Sequence, residues 1–381
     1  MQNYLYFQPQ YFREFVCDSS KCNDNCCEKF WNIDIDKATY EKYSRLQPES
    51  LARAITEHFT YDAANDRYLL KDHPCPFLTE KKLCRIQLEL GEKFLSPTCR
   101  TYPRVICYFG NFFEQSLALS CPVAAEMILF KPEPMSFELL TTAEEIFNRK
   151  VHVSQMHVDE KISAHVIDIQ AAMISILQER TLTIDQRLIV LGFFLDKLDE
   201  ISGAFDETAL IKLISAYESK NFLVEQVPLM IQSTNFSAKK FADVMTTIAT
   251  QIPESVIPLA KLLAGREKIG DFKKIFVTEH ATFFENFLVN ELFQNCCPWR
   301  FAGSITTNFG LFAAKYKIFE LMILAAAQGG NCGKADMIRT AGHYTNHLNH
   351  VEEYQRRIFF SLQGRDTFDL IDSLLDGGDW N

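Results

Sequence analysis

The chain lacks the patterns that direct a protein out of the cell or anchor it in a membrane. Its N-terminal residues lack the basic start and apolar run of a secretory signal peptide, and Arg13 interrupts the candidate stretch. No run of eighteen apolar residues occurs. The most apolar stretch, residues 311–328, contains two lysines and one glutamate and predicts a buried amphipathic helix. We therefore expect a soluble, cytoplasmic protein without a membrane partner.

Several motifs of common enzyme classes are also absent. There is no G-x-G-x-x-G turn, which argues against a Rossmann-type cofactor site, and no H-E-x-x-H pair of a zinc peptidase. No repeat of fixed period occurs. The net charge of -10 argues against a nucleic-acid partner bound through a broadly basic surface. It would suit a cationic substrate, although many ordinary soluble proteins are equally acidic.

Cysteine, by contrast, is abundant in the first third of the chain. Nine of the twelve cysteines lie there, in three groups: Cys17, Cys22, Cys26 and Cys27; Cys75 and Cys84; Cys99, Cys107 and Cys121. A cytosolic protein keeps its thiols reduced, so this clustering indicates a metal centre or redox chemistry rather than a disulfide framework. We expect one of the nine to be a bystander. The spacings match neither a zinc ribbon nor a ferredoxin run, so they predict a metal without identifying it.

A change of composition near residue 131 divides the chain into three parts. Residues 1–130 predict a cysteine-rich α+β domain with short hairpins, residues 131–155 a proline-containing connector, and residues 156–381 an α-helical domain. The predicted fold class is therefore mostly α.

Local patterns predict individual elements. Hairpins with two-residue turns are expected at Asn65 and Asp66 and at Gly110 and Asn111, because Gly and Asn tolerate positive φ. Apolar residues recur at three- and four-residue spacing in the helical part, with N-caps at Thr183 and Ser237. The predicted helical segments are 157–179, 183–201, 236–250, 283–294 and 310–327.

Three cysteine-containing segments resemble a known family. They read FVCDSSKCNDNCCEKFWNIDIDKATYEKY, LCRIQLELGEKFLSPTCRTYPR and LALSCPVAAEMIL. Together they are similar to the bacterial flagellin lysine-N-methylase family, whose N-terminal region is a cysteine cluster described as zinc- or iron-chelating. The resemblance covers most of the first 130 residues and extends more weakly to FFENFLVNELFQNCCPWR and HYTNHLNH.

This resemblance implies methylation of flagellin lysines, with S-adenosylmethionine as methyl donor and a [4Fe-4S] cluster held by N-terminal cysteines. Eight cysteines match the family pattern: Cys17, Cys22, Cys26, Cys27, Cys75, Cys84, Cys99 and Cys121. A cubane cluster takes at most four protein ligands, so four of the eight are expected to bind it.

The match also includes the segment CRTYPR, which implies roles for Arg100, Tyr102 and Arg104. The arginines would bind the carboxylate of the donor, and Tyr102 would line the lysine channel or act as a base. The alternative is that these residues only brace the cysteine loops. The sequence departs from the C-x3-C-x2-C pattern of radical enzymes that cleave S-adenosylmethionine, because Lys29 stands at the third cysteine position. We therefore favour a polar transfer over a radical one.

Other polar and aromatic groups have a structural as well as a functional interpretation. His343, His347 and His350 would share one helix face, as a solvated surface or as a contact with substrate or metal. The patch of Asp34, Asp36 and Trp31 would guide a lysine ammonium, or Asp36 would cap a helix and Trp31 would lie in the core. The remaining cysteines are expected to be small buried hydrophobes: Cys296, Cys297 and Cys332.

Two functions of different classes follow. The first is an enzyme, a protein lysine N-methyltransferase acting on flagellin. The second is a protein-binding module without catalytic activity, in which a zinc or iron–sulfur centre only stabilises the fold. A gain of methyl mass on flagellin distinguishes them.

Overall fold

The computed structural model describes residues 4–17, 22, 26–28, 33–72, 74–142, 153–156, 158–265 and 270–375. Helices dominate these residues, and a small α+β region with short strands precedes a helical part. The predicted fold class is thus confirmed. Across these described ranges, no helix is both long and apolar enough to cross a membrane.

The strands form two sheets. In chain order they are β1 (Tyr4–Pro9), β2 (Asp34–Ile35), β3 (Phe59–Asp62), β4 (Arg67–Leu70), β5 (Arg104–Tyr108), β6 (Phe113–Leu117), β7 (Phe137–Thr142) and β8 (Val153–Gln155). The larger sheet has the order β7-β1-β6-β5-β8, in which β1 is parallel to β6 and β5 is parallel to β8. The smaller sheet, β2-β4-β3, is antiparallel. The predicted connector, 131–155, therefore supplies the two outer strands of the larger sheet.

The helices surround the larger sheet and make up most of the chain. They are α1 (Tyr11–Glu14), α2 (Lys37–Ser44), α3 (Glu49–Thr56), α4 (Arg85–Leu90), α5 (Pro97–Thr101), α6 (Pro122–Leu129), α7 (Glu160–Ser163), α8 (Val166–Leu177), α9 (Ile184–Gly203), α10 (Glu207–Glu218), α11 (Lys220–Ser233), α12 (Ala238–Ala249), α13 (Leu259–Ala264), α14 (Gly270–Glu279), α15 (Ala281–Gln294), α16 (Ile305–Gln328), α17 (Lys334–Tyr344), α18 (Glu352–Leu362) and α19 (Thr367–Leu374). Short 3-10 turns occupy Cys26–Glu28 and Glu92–Phe94, and a π-helical turn occupies Thr345–Asn349.

Both predicted hairpins are present, but only one has a two-residue turn. Between β5 and β6 the N–H of Phe109 donates to the carbonyl of Phe112, which leaves Gly110 and Asn111 as the turn, and Gly110 has φ +88°. Between β3 and β4 the loop has four residues, 63–66. The prediction of a two-residue turn at Asp66 is therefore wrong, because the pairing of the two strands already ends at Asp62 and Arg67.

The predicted helices and caps are largely confirmed. Thr183 and Gln186 form a capping box at the start of α9, and the Ser237 side chain accepts from the N–H of Lys240 at the start of α12. Segment 157–179 is not one helix, since the chain leaves the helix between α7 and α8. Seven described helices of the helical part were not among the predicted segments: α10, α11, α13, α14, α17, α18 and α19.

The buried apolar residues form one large core, a small separate one, and a third cluster of Tyr6, Ile106 and Phe113 on the larger sheet. The large core joins residues of β1, α1 and β6 to the helices from α6 onward. The small core lies within residues 26–99, which we call the cysteine unit, and includes Ile35, Tyr43 and Phe59. The cysteine unit therefore has its own apolar centre, while the first strand of the chain belongs to the helical region.

The long helix α16 has charged side chains that are buried in the protein. It is buried along nearly its whole length, including Lys315, Lys317 and Glu320. Lys315 Nζ lies 2.5 Å from a carboxylate oxygen of Glu291 on α15, and Lys317 Nζ lies 2.5 Å from one of Asp185 on α9. The predicted helix is confirmed, but its charged residues form internal ion pairs rather than a solvent-facing side.

Candidate functional site

Six of the eight predicted metal ligands line one cavity in the cysteine unit. The cavity measures about 80 Å³, and its thiols come from Cys17, Cys26, Cys27, Cys75, Cys84 and Cys99. Apolar side chains of the small core and the ring of Tyr102 complete the wall. Cys121 is buried nearby, and Cys22 is half-buried and is not one of the lining residues. The structure thus brings together cysteines that are more than seventy residues apart in the sequence.

Short elements position these thiols. Cys26 and Cys27 lie in a 3-10 turn with their sulfurs 3.9 Å apart, and the carbonyl of Cys27 accepts from the N–H of Cys75 at 2.9 Å. Cys84 is the N-cap of α4, and Cys99 lies in the first turn of α5. These turns and helix ends place the thiols along one cavity, and Cys84 also forms an isolated β-bridge with Leu78.

Three of the cysteines lie at the start of a helix. Cys84 precedes α4, Cys99 is the third residue of α5 and Cys121 precedes α6. The N–H groups that lower the pKa of these thiols belong to Ile86 and Gln87 at Cys84 and to Val123 and Ala124 at Cys121. Donors of this kind stabilise a thiolate, as they do around iron–sulfur clusters.

Burial acts in the opposite direction and is the larger effect. It raises the pKa of Cys99 to about 12 and also raises the pKa of Cys84 and Cys121. Neighbouring thiols add to this, and for Cys121 they are Cys17 and Cys26. Cys121 is therefore within electrostatic reach of the first cysteine group. A bound cation would remove the cost of ionising these thiols.

Thiols are the side chains that bind zinc ions and iron–sulfur clusters, so the lining of this cavity is chemically suited to either. Thiolates are the usual protein ligands of such clusters. Among the residues described, no three Cys, His, Asp or Glu side chains are arranged to hold one metal ion. A closed zinc site needs sulfurs about 2.3 Å from a single point. Six thiols line this one cavity, more than the four that either kind of centre binds.

A second, polar pocket of about 370 Å³ lies beside the cysteine cavity. Tyr102 lines both spaces. The pocket is built by two distant parts of the chain. The N-terminal part contributes residues of α5, β5 and the loop after β6, and the helical part contributes Gln294, Asn295, Arg300, Asn349, His350 and Glu352. The sequence resemblance identified Tyr102 but not this helical wall.

Tyr102 takes part in a chain of hydrogen bonds along the pocket. Its hydroxyl donates to Ser120 Oγ at 3.0 Å, and Ser120 Oγ lies 2.7 Å from Nε2 of His350. Ser120 is buried, whereas His350 is exposed at the pocket rim. Ser120 was not predicted as a site residue, because a lone serine beside Cys121 carries no motif.

The arginines of the site differ in position. Arg104 lines the polar pocket, and its guanidinium lies 5.3 Å from the ring centre of Phe15. Arg100 is exposed and is not one of the lining residues. Arg300, which sequence reasoning missed, also lines the pocket. Its Nε is buried and has no hydrogen-bond partner among the described residues, and Glu352 is the carboxylate that lies 3.7 Å from its guanidinium.

The three histidines do not act as one set. The π-helical turn after α17 interrupts the helix, and His350 N–H donates to the carbonyl of Thr345. His343 and His347 stay together, with ring centres 4.3 Å apart, and His343 Nε2 lies 3.0 Å from the carbonyl of Val256. His350 alone lines the polar pocket.

The predicted acidic patch has structural contacts. Asp36 caps α2 by accepting from the N–H of Thr39, as one interpretation predicted. Asp34 accepts from Thr98 Oγ1 at 2.6 Å and from Arg67 at 2.8 Å. Trp31 and Lys29 lie outside the described residues.

The remaining cysteines follow the prediction in part. Cys296 and Cys297 are buried, but Cys332 is exposed, so the prediction of burial is wrong for it because it lies in the short loop after α16. Cys107, the ninth N-terminal cysteine, forms a disulfide with Cys296. The expectation that the thiols are reduced is therefore wrong for this pair. The two side chains meet because β5 packs against the end of α15.

A protein-family comparison matches the helical region. The family described as FliB lysine N-methylase C-terminal domain matches residues 170–374, more than half of the chain. This range contains all six pocket-lining residues that come from the helical part of the chain.

Curated relatives match a smaller share. The chain is 33% identical over 147 residues to proteins named lysine-N-methylase from Salmonella typhimurium and Salmonella choleraesuis; each match covers 37% of this chain and 36% of the relative. The chain is also 33% identical over 135 residues to a flagellar biosynthetic protein FliU from Salmonella muenchen, covering 34% of this chain and 79% of that protein. The matches thus span about a third of the length of the two methylases. No solved structure matches.

Proposed function

Because the chain belongs to the FliB lysine N-methylase family, we propose that it methylates lysine side chains of flagellin with S-adenosylmethionine as donor. The observation that carries this proposal is the polar pocket of about 370 Å³. Its helical wall lies in the family-matched range, and its other wall belongs to the segment whose sequence resembles the methylases.

The pocket offers groups for both substrates. Arg104 and Arg300 are positioned to bind the carboxylate of the donor, since guanidinium groups bind carboxylates through paired hydrogen bonds. Glu352 and the half-buried Tyr102 ring would attract the lysine ammonium. Side-chain amides of Gln294, Asn295 and Asn349 supply further polar contacts.

We also propose that the cysteine cavity holds a [4Fe-4S] cluster. Four ligands would come from the lining cysteines, which are Cys17, Cys26, Cys27, Cys75, Cys84 and Cys99. Binding of the donor's amino and carboxylate groups to the cluster would require that only three of these cysteines hold it, because the fourth iron would then be open. The adjacency of cavity and pocket at Tyr102 supports this arrangement.

The proposed transfer is polar. A lysine amine has a reference pKa near 10.4, so only about one in 10³ is neutral at pH 7, and attack on the sulfonium methyl needs the neutral form. The residues of the pocket must therefore remove a proton from the ammonium and orient its lone pair toward the methyl carbon.

The direct test is an incubation of anaerobically purified protein with flagellin and S-adenosylmethionine. We expect the flagellin mass to rise in steps of one methyl group, located on lysines by peptide mapping. Unchanged flagellin would support the protein-binding module instead. The same reactions with and without a one-electron reductant test the mechanism, since formation of 5′-deoxyadenosine in proportion to methyl groups would contradict polar transfer.

A further inference from the structure

We propose that Tyr102, Ser120 and His350 form a proton relay that carries a proton from the substrate lysine to solvent. This inference rests on the proposed function and names the groups that activate the lysine. Its basis is the pair of short hydrogen bonds, 3.0 Å from Tyr102 to Ser120 and 2.7 Å from Ser120 to His350. The tyrosine and the histidine both line the polar pocket.

The hydrogen bonds can run in the direction that the proposed proton transfer needs, from Tyr102 to Ser120 and from Ser120 to His350. Tyr102 donates its hydroxyl proton to Ser120 Oγ, and in the proposed step its phenol oxygen accepts a proton from a lysine ammonium in the pocket. Ser120 Oγ then donates to Nε2 of His350 when the imidazole carries its proton on Nδ1. His350 is exposed and exchanges the proton with water.

The step balances as a concerted shift of three protons. An N–H bond of the ammonium breaks as an O–H bond forms on Tyr102, Tyr102 passes its proton to Ser120, and Ser120 passes its proton to His350. The neutral amine attacks the methyl carbon, and the C–S bond breaks with its electron pair on sulfur. Tyr102 is the catalytic residue, because it would take the proton from the lysine, and Ser120 and His350 act through it.

Only the tertiary structure assembles this relay. Tyr102 follows α5, Ser120 precedes α6, and His350 follows the π-helical turn. That turn lets the chain depart from regular helical register, and such turns are frequent at functional sites. The charged groups that share the pocket with His350 are Arg104, Arg300 and Glu352.

The test is the pH profile of single-turnover methyl transfer to flagellin, measured from about pH 6 to pH 9.5. His350→Gln should reduce the rate near neutral pH by about 10²-fold, the scale of general acid–base catalysis. The deficit should shrink as pH rises, because the lysine then loses its proton without help. Ser120→Ala should give the same profile, since it interrupts the relay one bond earlier. His343→Gln, an exposed histidine outside the pocket, is the matched control and should keep the wild-type profile.

A second measurement needs no methyl transfer. The imidazole titration of His350, followed by NMR, should shift in Ser120→Ala and in Tyr102→Phe but not in His343→Gln. An unchanged titration in Ser120→Ala overturns the relay, as does a wild-type pH profile in His350→Gln. If wild-type protein transfers no methyl group, the proposed function fails, and the NMR titrations still decide whether the three residues are coupled.

Discussion

The helical region and the cysteine unit accommodate buried polar groups in opposite ways. In the helical region, buried charges meet opposite charges from neighbouring helices, as Glu285 of α15 does with Arg180 and Arg187, each at 2.8 Å. In the cysteine unit, thiols lie beside other thiols, and no lysine or arginine of the described chain lines their cavity.

The two regions therefore differ in the interactions that stabilise them. Ion pairs inside the helical region balance their own charge, so its fold needs no added group. A set of buried thiols gains its full stability only when they bind a metal or cluster, because ligand binding then contributes to folding. The Cys107–Cys296 disulfide, which links β5 to the end of α15, lies outside the cysteine unit.

The largest expected effect tests the cysteine unit. Cys99→Ser should remove most of the bound metal and unfold the cysteine unit, because Cys99 is enclosed and helps line the cavity. Iron and sulfide analysis measures the first effect, and hydrogen exchange over residues 33–99 measures the second. Cys332→Ser, at an exposed position, should change neither. Full metal content in Cys99→Ser would contradict the contrast between the two regions.

The next effect tests the internal pairing of the helical region. Glu285→Gln leaves Arg187 buried without its carboxylate and should lower the free energy of unfolding by about 3–5 kcal/mol. Urea denaturation followed by circular dichroism gives this value. The control is Glu353→Gln, an exposed residue paired with Arg357, where the loss should be about 0–1 kcal/mol. Equal losses in the two variants would show that burial of the pair does not matter.

The smallest expected effect concerns the pocket where both parts of the chain meet. Arg300→Gln should weaken binding of S-adenosylmethionine by about 10- to 100-fold, since a charge-assisted hydrogen bond contributes about 1.5–3 kcal/mol. Equilibrium dialysis measures the dissociation constant. Arg100→Gln, outside the pocket lining, should bind the donor as the wild type does. The opposite result would favour the role that the sequence resemblance implied for Arg100.

Local patterns predicted the parts of the fold that depend on neighbouring residues. The cap of α9 at Thr183, the turn at Gly110 and the helix at residues 310–327 all depend on contacts within a few residues. The larger sheet could not be predicted in the same way. Its strand β1 pairs with β7, which lies more than 130 residues further along the chain, and this pairing leaves no short-range signal.

The sequence by itself determined the family, the class of the fold and the cysteines that gather around one cavity. Residue type and spacing carry that information, because clustered cysteines are typical of a shared centre and apolar residues at helical spacing are typical of a buried helix face. Only the tertiary structure decided that Lys315 and Lys317 are buried, that Arg300 and His350 line one pocket with Tyr102, and that Ser120 lies between Tyr102 and His350. These groups come from separate elements, and which of them meet is set by the packing of the helices against the sheet.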